Sequence, residues 1–252
     1  MVKKIKVLIA GESWVAVVTH IKGLDYMTSS TYEEAVEWLQ RALEKSDIQV
    51  DYLPSHLAPT KFPDSMAELK QYDTIILSDI GANSLLLHPD TYIHSKTTPN
   101  RLDALHDYVH EGGSLMMVGG YLTFTGLNGK ANYKGTSVEK ALPVALLPVD
   151  DRIEMPQGFS PGIIDANHPV MRNIRGPWPT LLGYNRTEAK QGATLLLQHN
   201  NDPIAAVWEY GSGRTGVFTS DCAPHWGTPE FLAWPHYTTF FSQMVRWLAK
   251  TI

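Results

Sequence analysis

The sequence is poor in the features that would assign it a special environment. Its 252 residues include one cysteine, Cys222, which excludes an internal disulfide. It has no Lys/Arg-rich run, and 21 basic against 26 acidic residues give a formal net charge of −5, so nucleic acid is not expected as a partner. No apolar stretch approaches the roughly 20 residues of a membrane helix, so no membrane association is expected. The run that follows Met1-Val2-Lys3-Lys4 superficially resembles a signal peptide. It is too short, Glu12 follows at once, and a buried first strand and a cytoplasmic location are the expectations. There is no internal repeat and no low-complexity linker, which predicts one domain over residues 1–252. With 43% hydrophobic and 19% charged residues, the chain is of globular composition.

What is present is an alternation of strand and helix patterns. Ile5 to Ala10, Thr74 to Leu77 and Leu115 to Val118 are short apolar runs ending at small residues, as strands buried on both faces do. Ile48, Val50 and Tyr52 alternate as a strand should. Ser30-Thr31-Tyr32-Glu33 has the form of a capping box, and Val36, Leu39 and Leu43 follow at helical spacing, predicting a helix there. Leu102, Leu105 and Val109 predict a second helix, stopped at Gly112-Gly113. The order predicts a parallel sheet covered by helices on both faces. Between 122 and 175 the pattern weakens to an irregular insertion with one short helix near Val138. Ala193 to Gln198, Pro203 to Tyr210 and Arg214 to Thr219 read as strands, the last two joined by a turn at Gly211-Ser212-Gly213. Phe240, Met244 and Trp247 space out a closing helix.

Ligands of open parallel sheets bind beyond the carboxyl ends of the strands. That rule gathers Glu12, Ser13 and Trp14 after the first strand, Asp79 and Asn83 after the third, and Gly120 and Tyr121 after the fourth. It adds Asp221, Cys222, His225 and Trp226 after the strand Arg214 to Thr219. Each has a structural alternative. Glu12 and Ser13 suit a helix cap, Asp79 an Asx turn, Gly120 close backbone packing, and His225 a satisfied core histidine. Cys222 reads as a buried thiol, because its neighbours offer no cation to lower its pKa. His106 and His110 sit one helical turn apart, but the pattern around them favours a solvated face, and no metal or cofactor is predicted.

The run into Gly119-Gly120-Tyr121 resembles the nucleophile elbow of class I glutamine amidotransferases, which carry Gly-x-Cys-x-Gly there. The matching position here is Gly120 or Tyr121, and neither supplies a thiol. Several segments are similar to the non-catalytic branch of that superfamily, which includes the trehalose-utilisation-like proteins and the amidotransferase-like family matched best here: Gly11-Glu12-Ser13-Trp14; Ser78-Asp79-Ile80-Gly81-Ala82-Asn83; and Asp165 to Met171 with Asp202 to Gly227. The resemblance spans nearly the whole chain. It implies a flavodoxin-like three-layer sandwich with a mostly parallel central sheet and a C-terminal hairpin addition. The departure at the elbow argues against glutamine hydrolysis by the thioester route, since without a thiolate there no covalent intermediate forms.

Three functions compete on these residues. The first is binding or processing of a small polar, carbohydrate-type ligand. Glu12, His225 and Asp221 would do proton chemistry, and Trp14, Asp79, Asn83, Gly120, Tyr121 and Trp226 would line the pocket. The second is a thiol hydrolase using Cys222 with His225. The third is a non-catalytic homo-oligomer joined through the aromatic C-terminus, from Trp226 to Phe241, although internal packing explains those rings as well.

Overall fold

The computed structural model describes residues 4–252. Met1 to Lys3 of the signal-like start lie outside the described residues. Fourteen strands occur among them: β1 Lys6–Gly11, β2 Ser13–Lys22, β3 Asp25–Glu34, β4 Gln49–Leu53, β5 Thr74–Ser78, β6 Ser114–Val118 and β7 Val144–Leu146, then β8 Arg152–Phe159, β9 Gly162–Ile163, β10 Leu181–Asn185, β11 Thr187–Ala189, β12 Thr194–His199, β13 Asp202–Tyr210 and β14 Gly213–Phe218. Eight of them form the central sheet, in the order β4-β1-β5-β6-β14-β13-β12-β9. The pairs from β4 through β14 are all parallel, and the three pairs beyond β14 are antiparallel. This is the flavodoxin-like α/β sandwich with its hairpin addition at the β13–β14 side.

The apolar runs work as two-faced strands. Val7 and Ile9 of β1 join one core, packed with Val36, Leu39 and Leu43 and with the closing helix Tyr237–Leu248. Leu8 and Ala10 point to the opposite core, with Leu102, Leu105 and Val109 of the helix Arg101–His110. Consecutive residues of β1 therefore lock one helical layer each, which explains why the strand reads as continuously apolar. Phe231, Tyr237, Phe240 and Phe241 are buried around Phe218 and Trp178, so the C-terminal rings that offered a subunit interface fill the domain's own core. Among the described residues no helix is long and apolar enough to cross a membrane.

The helix expected to start at the Ser30 capping box is a correction. Ser30 to Glu33 lie in β3, which pairs antiparallel with β2 over ten residue pairs to form a long hairpin arm. The helix begins only at Glu37, after Val36, with no side-chain cap. The β-branched and aromatic residues Val15, Val17, Val18, Thr19 and Ile21 on one strand, and Thr28, Thr31 and Tyr32 on the other, outweigh the local cap pattern. The stretch 122–175 contains the helix Ser137–Ala141, the strands β7 to β9, and a pairing of β8 with β10.

Candidate functional site

β1, β5 and β6 run side by side and parallel, so their carboxyl ends share one rim, and the loop after β14 joins it. Three non-glycine residues there hold positive φ, Glu12 at 48°, Asp79 at 44° and His225 at 137°. Non-glycine residues persist in such conformations only where the surroundings enforce them. Around Glu12 the enforcement is visible. Its N–H donates to Ser78 O at 2.9 Å, and its own carbonyl accepts from Ala35 N at 2.9 Å, beyond the arm. Gly11 just before it has φ 120°, and a Cβ there would stand 1.7 Å from Ser78 O. No side chain fits at that crossing, and the chain turns Glu12 inward as a result.

The Glu12 carboxylate is buried, 2% exposed. Its Oε1 accepts a very short bond from the Ser78 hydroxyl and lies 3.7 Å from Cys222 Sγ, which is itself 3.6 Å from Ser78 Oγ. Burial pushes Glu12 well above the ordinary carboxyl range, and the charges of Asp221 and Asp79 push it further, against the Ser78 and Cys222 bonds. Asp221 is likewise raised well above its usual range by burial and by Asp79. Its Oδ1 accepts from Ala223 N at 2.9 Å, and its Oδ2 is 3.4 Å from His225 Nδ1. Asp79 is raised by burial despite accepting from Leu122 N at 2.7 Å and despite the pull of His225. Burial holds the His225 imidazole below its ordinary value, against the pull of Glu154 and Asp79. Two buried carboxyl groups, Glu12 and Asp221, and the half-buried Asp79, all with raised pKa values, beside an imidazole with a lowered one favour the uncharged form of each group.

These groups open onto a cavity of about 510 Å³, lined by Glu12, Trp14, Ala35, Asp79, Tyr121, Leu122, Leu127, Lys130, Asp221, Pro224 and His225. Six of the sequence-derived candidates line it together: Glu12, Trp14, Asp79, Tyr121, Asp221 and His225. Gly120 lies beneath, at the elbow. Trp226 is buried behind His225, stacked on it with ring centroids 4.8 Å apart. Asn83 sits on the exposed side of the helix Ala82–Leu86 and does not line the cavity.

The rim is braced by residues that sequence reasoning did not single out. Glu154 of β8 accepts from Tyr121 OH at 3.1 Å and from Trp226 Nε1 at 3.0 Å, and Arg152 lies over the Tyr121 ring at 5.1 Å. Tyr121 meets His225 edge-on, centroids 4.3 Å apart. Asn185, fully buried, accepts from Gly120 N at 3.0 Å and donates to Gly120 O at 3.1 Å and to Asp151 Oδ1 at 2.8 Å. Asp151 in turn accepts from Thr125 N and Gly126 N. Tyr237 OH donates to Cys222 O at 2.6 Å and holds the loop after β14. These partners stand tens of residues apart in the chain, and no local spacing signals them. Leu122, Leu127 and Lys130 enter the lining from the 122–175 stretch, where the sequence pattern is weakest.

The elbow carries no nucleophile. At Gly120, with φ 151°, a Cβ would stand 2.7 Å from Asp79 Oδ1. Cys222 is fully buried, and burial followed by the charges of Glu12 and Asp221 raises its thiol well above the usual range. That is the opposite of what a thiolate nucleophile needs. Glu12, Asp221 and Cys222 each offer one buried donor atom, all within 4.8 Å of one another, a set that could hold a metal ion. His106 bonds Asp107 and Tyr210 instead, stacked on His110, and His88 caps the helix Pro89–Tyr92.

Comparison with known proteins gives three findings. A family model described as "Putative glutamine amidotransferase" matches residues 6–250. No curated protein matches the sequence. Among solved structures, the chain is similar to Cytoplasmic Protein STM3548 from Salmonella typhimurium, with 43% identity, a TM-score of 0.94 and coverage of 97% of this chain and 99% of that one. It is equally similar to Cytoplasmic Protein STM1381 from Salmonella typhimurium LT2, with 43% identity, TM-score 0.93 and the same coverage. A ThuA-like protein from Bacteroides uniformis ATCC 8492 shares the fold at 13% identity and TM-score 0.58, over 97% of this chain and 91% of that one.

Proposed function

The chain belongs to the glutamine amidotransferase-like family, and from that premise we propose that its cavity binds, and exchanges protons with, a small neutral polyhydroxylated ligand of carbohydrate type. The observation that supports this is the meeting of Glu12, Asp79, Asp221 and His225 beside Trp14 and Tyr121 on one cavity, at an elbow without a thiol. A volume of about 510 Å³ is of small-molecule size. Aromatic faces suit the apolar faces of a sugar ring, and carboxyl groups suit its hydroxyls.

In this reading Glu12, whose burial favours the protonated form, donates to the ligand, and His225, whose burial favours the neutral form, accepts from it, oriented by Asp221 at 3.4 Å. Asp79 fills the place of the missing nucleophile and offers an acceptor to the ligand. The 43% identical relatives carry "cytoplasmic" in their names, which supports the same location for this chain. A thermal-shift screen of neutral sugars and polyols against sugar phosphates tests the reading. Neutral ligands should raise the melting temperature of the wild type, and the shift should vanish in Glu12→Gln and His225→Asn. Shifts from sugar phosphates alone, or shifts untouched by both substitutions, would remove the cavity from consideration.

A further inference from the structure

The imidazole of His225 sits in a corner made by two aromatic rings, and both rings are tied to one carboxylate. Tyr121 meets the imidazole edge-on, with centroids 4.3 Å apart and planes at 77°. Trp226 stacks on it, with centroids 4.8 Å apart and planes at 28°. The two rings are themselves 6.0 Å apart and nearly perpendicular, at 78°. Glu154 of β8 accepts from Tyr121 OH through Oε1 at 3.1 Å and from Trp226 Nε1 through Oε2 at 3.0 Å. The neighbouring strand makes room for this reach. Gly183 of β10 pairs with Glu154 across the ladder, and a Cβ on it would stand 2.3 Å from Trp226 Nε1. Leu182 N, next to it, donates to Trp226 O at 2.9 Å and holds the backbone that carries the indole. A buried indole N–H needs an acceptor, and that need alone explains one of the two bonds of Glu154. It explains neither the second bond, to the hydroxyl of half-buried Tyr121, nor the φ of 137° at which His225 is held. A non-glycine residue keeps such a conformation only where its surroundings enforce it.

We propose that Glu154 is a positioning residue for His225: its carboxylate locks the Tyr121 and Trp226 rings into the corner that holds the imidazole on the cavity, and it sets a negative charge beside that imidazole. The proposal rests on the reading of His225 as the proton acceptor of the cavity and adds the group that keeps it in place. Asp221 orients the imidazole from its own loop, at 3.4 Å, and Glu154 does so from β8, through the two rings. The charged groups around the imidazole are Glu154 and Arg152 on β8, Asp79 after β5, Asp221 on its own loop and Lys130 in the shared lining. Burial draws the imidazole toward its neutral form. Glu154 and Asp79 act against burial, and Arg152 acts with it.

Nuclear magnetic resonance of the ligand-free full chain, with its histidine rings labelled, tests this. The His225 Cε1–H signal is assigned as the one missing from His225→Asn. In wild type the currents of the two rings should displace it from the range of exposed histidines. Glu154→Ala unties the corner and should return the signal toward that range. Glu154→Gln still offers an acceptor to Trp226 and a donor to Tyr121, so it should keep the displacement. With the negative charge gone, however, its His225 should titrate at lower pH than that of wild type. Should Glu154→Ala fail to fold, the Glu154→Gln titration decides by itself. A His225 signal unmoved by Glu154→Ala, or a Glu154→Gln midpoint at or above that of wild type, would overturn the proposal. No sugar is present in these samples, so either result stands apart from the outcome of the ligand screen.

Discussion

Asp79 occupies the space that a side chain at Gly120 would need: its Oδ1 stands 2.7 Å from where the Cβ would be. The elbow and the loop after β5 are therefore matched, glycine on one side and a carboxylate on the other. At Gly120, one of the two positions that match the elbow's nucleophile, this packing leaves no room for a side chain.

Reinstalling the thiol should accordingly fail. Gly120→Cys is expected to cost about 1–3 kcal/mol, from backbone strain at φ 151° and the collision with Asp79, and to yield no glutamine hydrolysis. Urea denaturation and an ammonia-release assay check both parts. A variant as stable as wild type that hydrolyses glutamine would refute the reading of the elbow.

The carboxyl groups of the cavity give a definite pH dependence. Glu12, Asp79 and Asp221 have raised pKa values in the folded state, so between the ordinary carboxyl range and those raised values the native protein holds more protons than the unfolded chain. Their contribution to stability is greatest at low pH and is lost as pH rises through that window. His225, lowered when folded, acts in the opposite sense, and its contribution is lost as pH falls below the unfolded value of 6.5. Urea midpoints of Glu12→Gln and Asp221→Asn should therefore fall less steeply with rising pH than those of wild type. Identical slopes would contradict the assigned shifts.

Cys222 should be inert in the folded protein. Its burial and the two acidic neighbours disfavour the thiolate, so iodoacetamide labelling at neutral pH is expected to be far slower than for free cysteine and to become normal in denaturant. Rapid native labelling would instead favour the thiol hydrolase that the Cys222 and His225 spacing suggests.

Asn185 is a positioning residue. Asn185→Ala removes the clamp on both backbone groups of Gly120 and one bond to Asp151, and is expected to cost about 1–3 kcal/mol. The elbow would then lose its register, and the melting shift given by any cavity ligand should shrink along with the stability. Unchanged stability would show that the clamp is not needed.

The legible parts of the fold are those governed by one strong local rule. β1, β5 and β6 are buried on both faces and stand out as unbroken apolar runs, and parallel pairing then brings Glu12, Asp79, Tyr121 and His225 to one rim. Two kinds of feature escaped. The arm is hidden in the sequence because Ser30 to Glu33 satisfies a helix-start pattern, whereas the pairing of Val15 with Tyr32 that overrides it is long-range. The supports at Asn185, Asp151 and Glu154 are contacts between segments tens of residues apart. The hydroxyl, amide and carboxyl groups in them carry no periodic signal.

The most direct test is a crystal structure with the neutral sugar that gives the largest melting shift. Ring density is expected between Trp14 and Tyr121, with hydroxyl oxygens about 2.7–3.2 Å from Glu12, Asp79 or Asp221 and from His225. A cavity left empty at saturating sugar, or density bound elsewhere on the molecule, would contradict the proposed site.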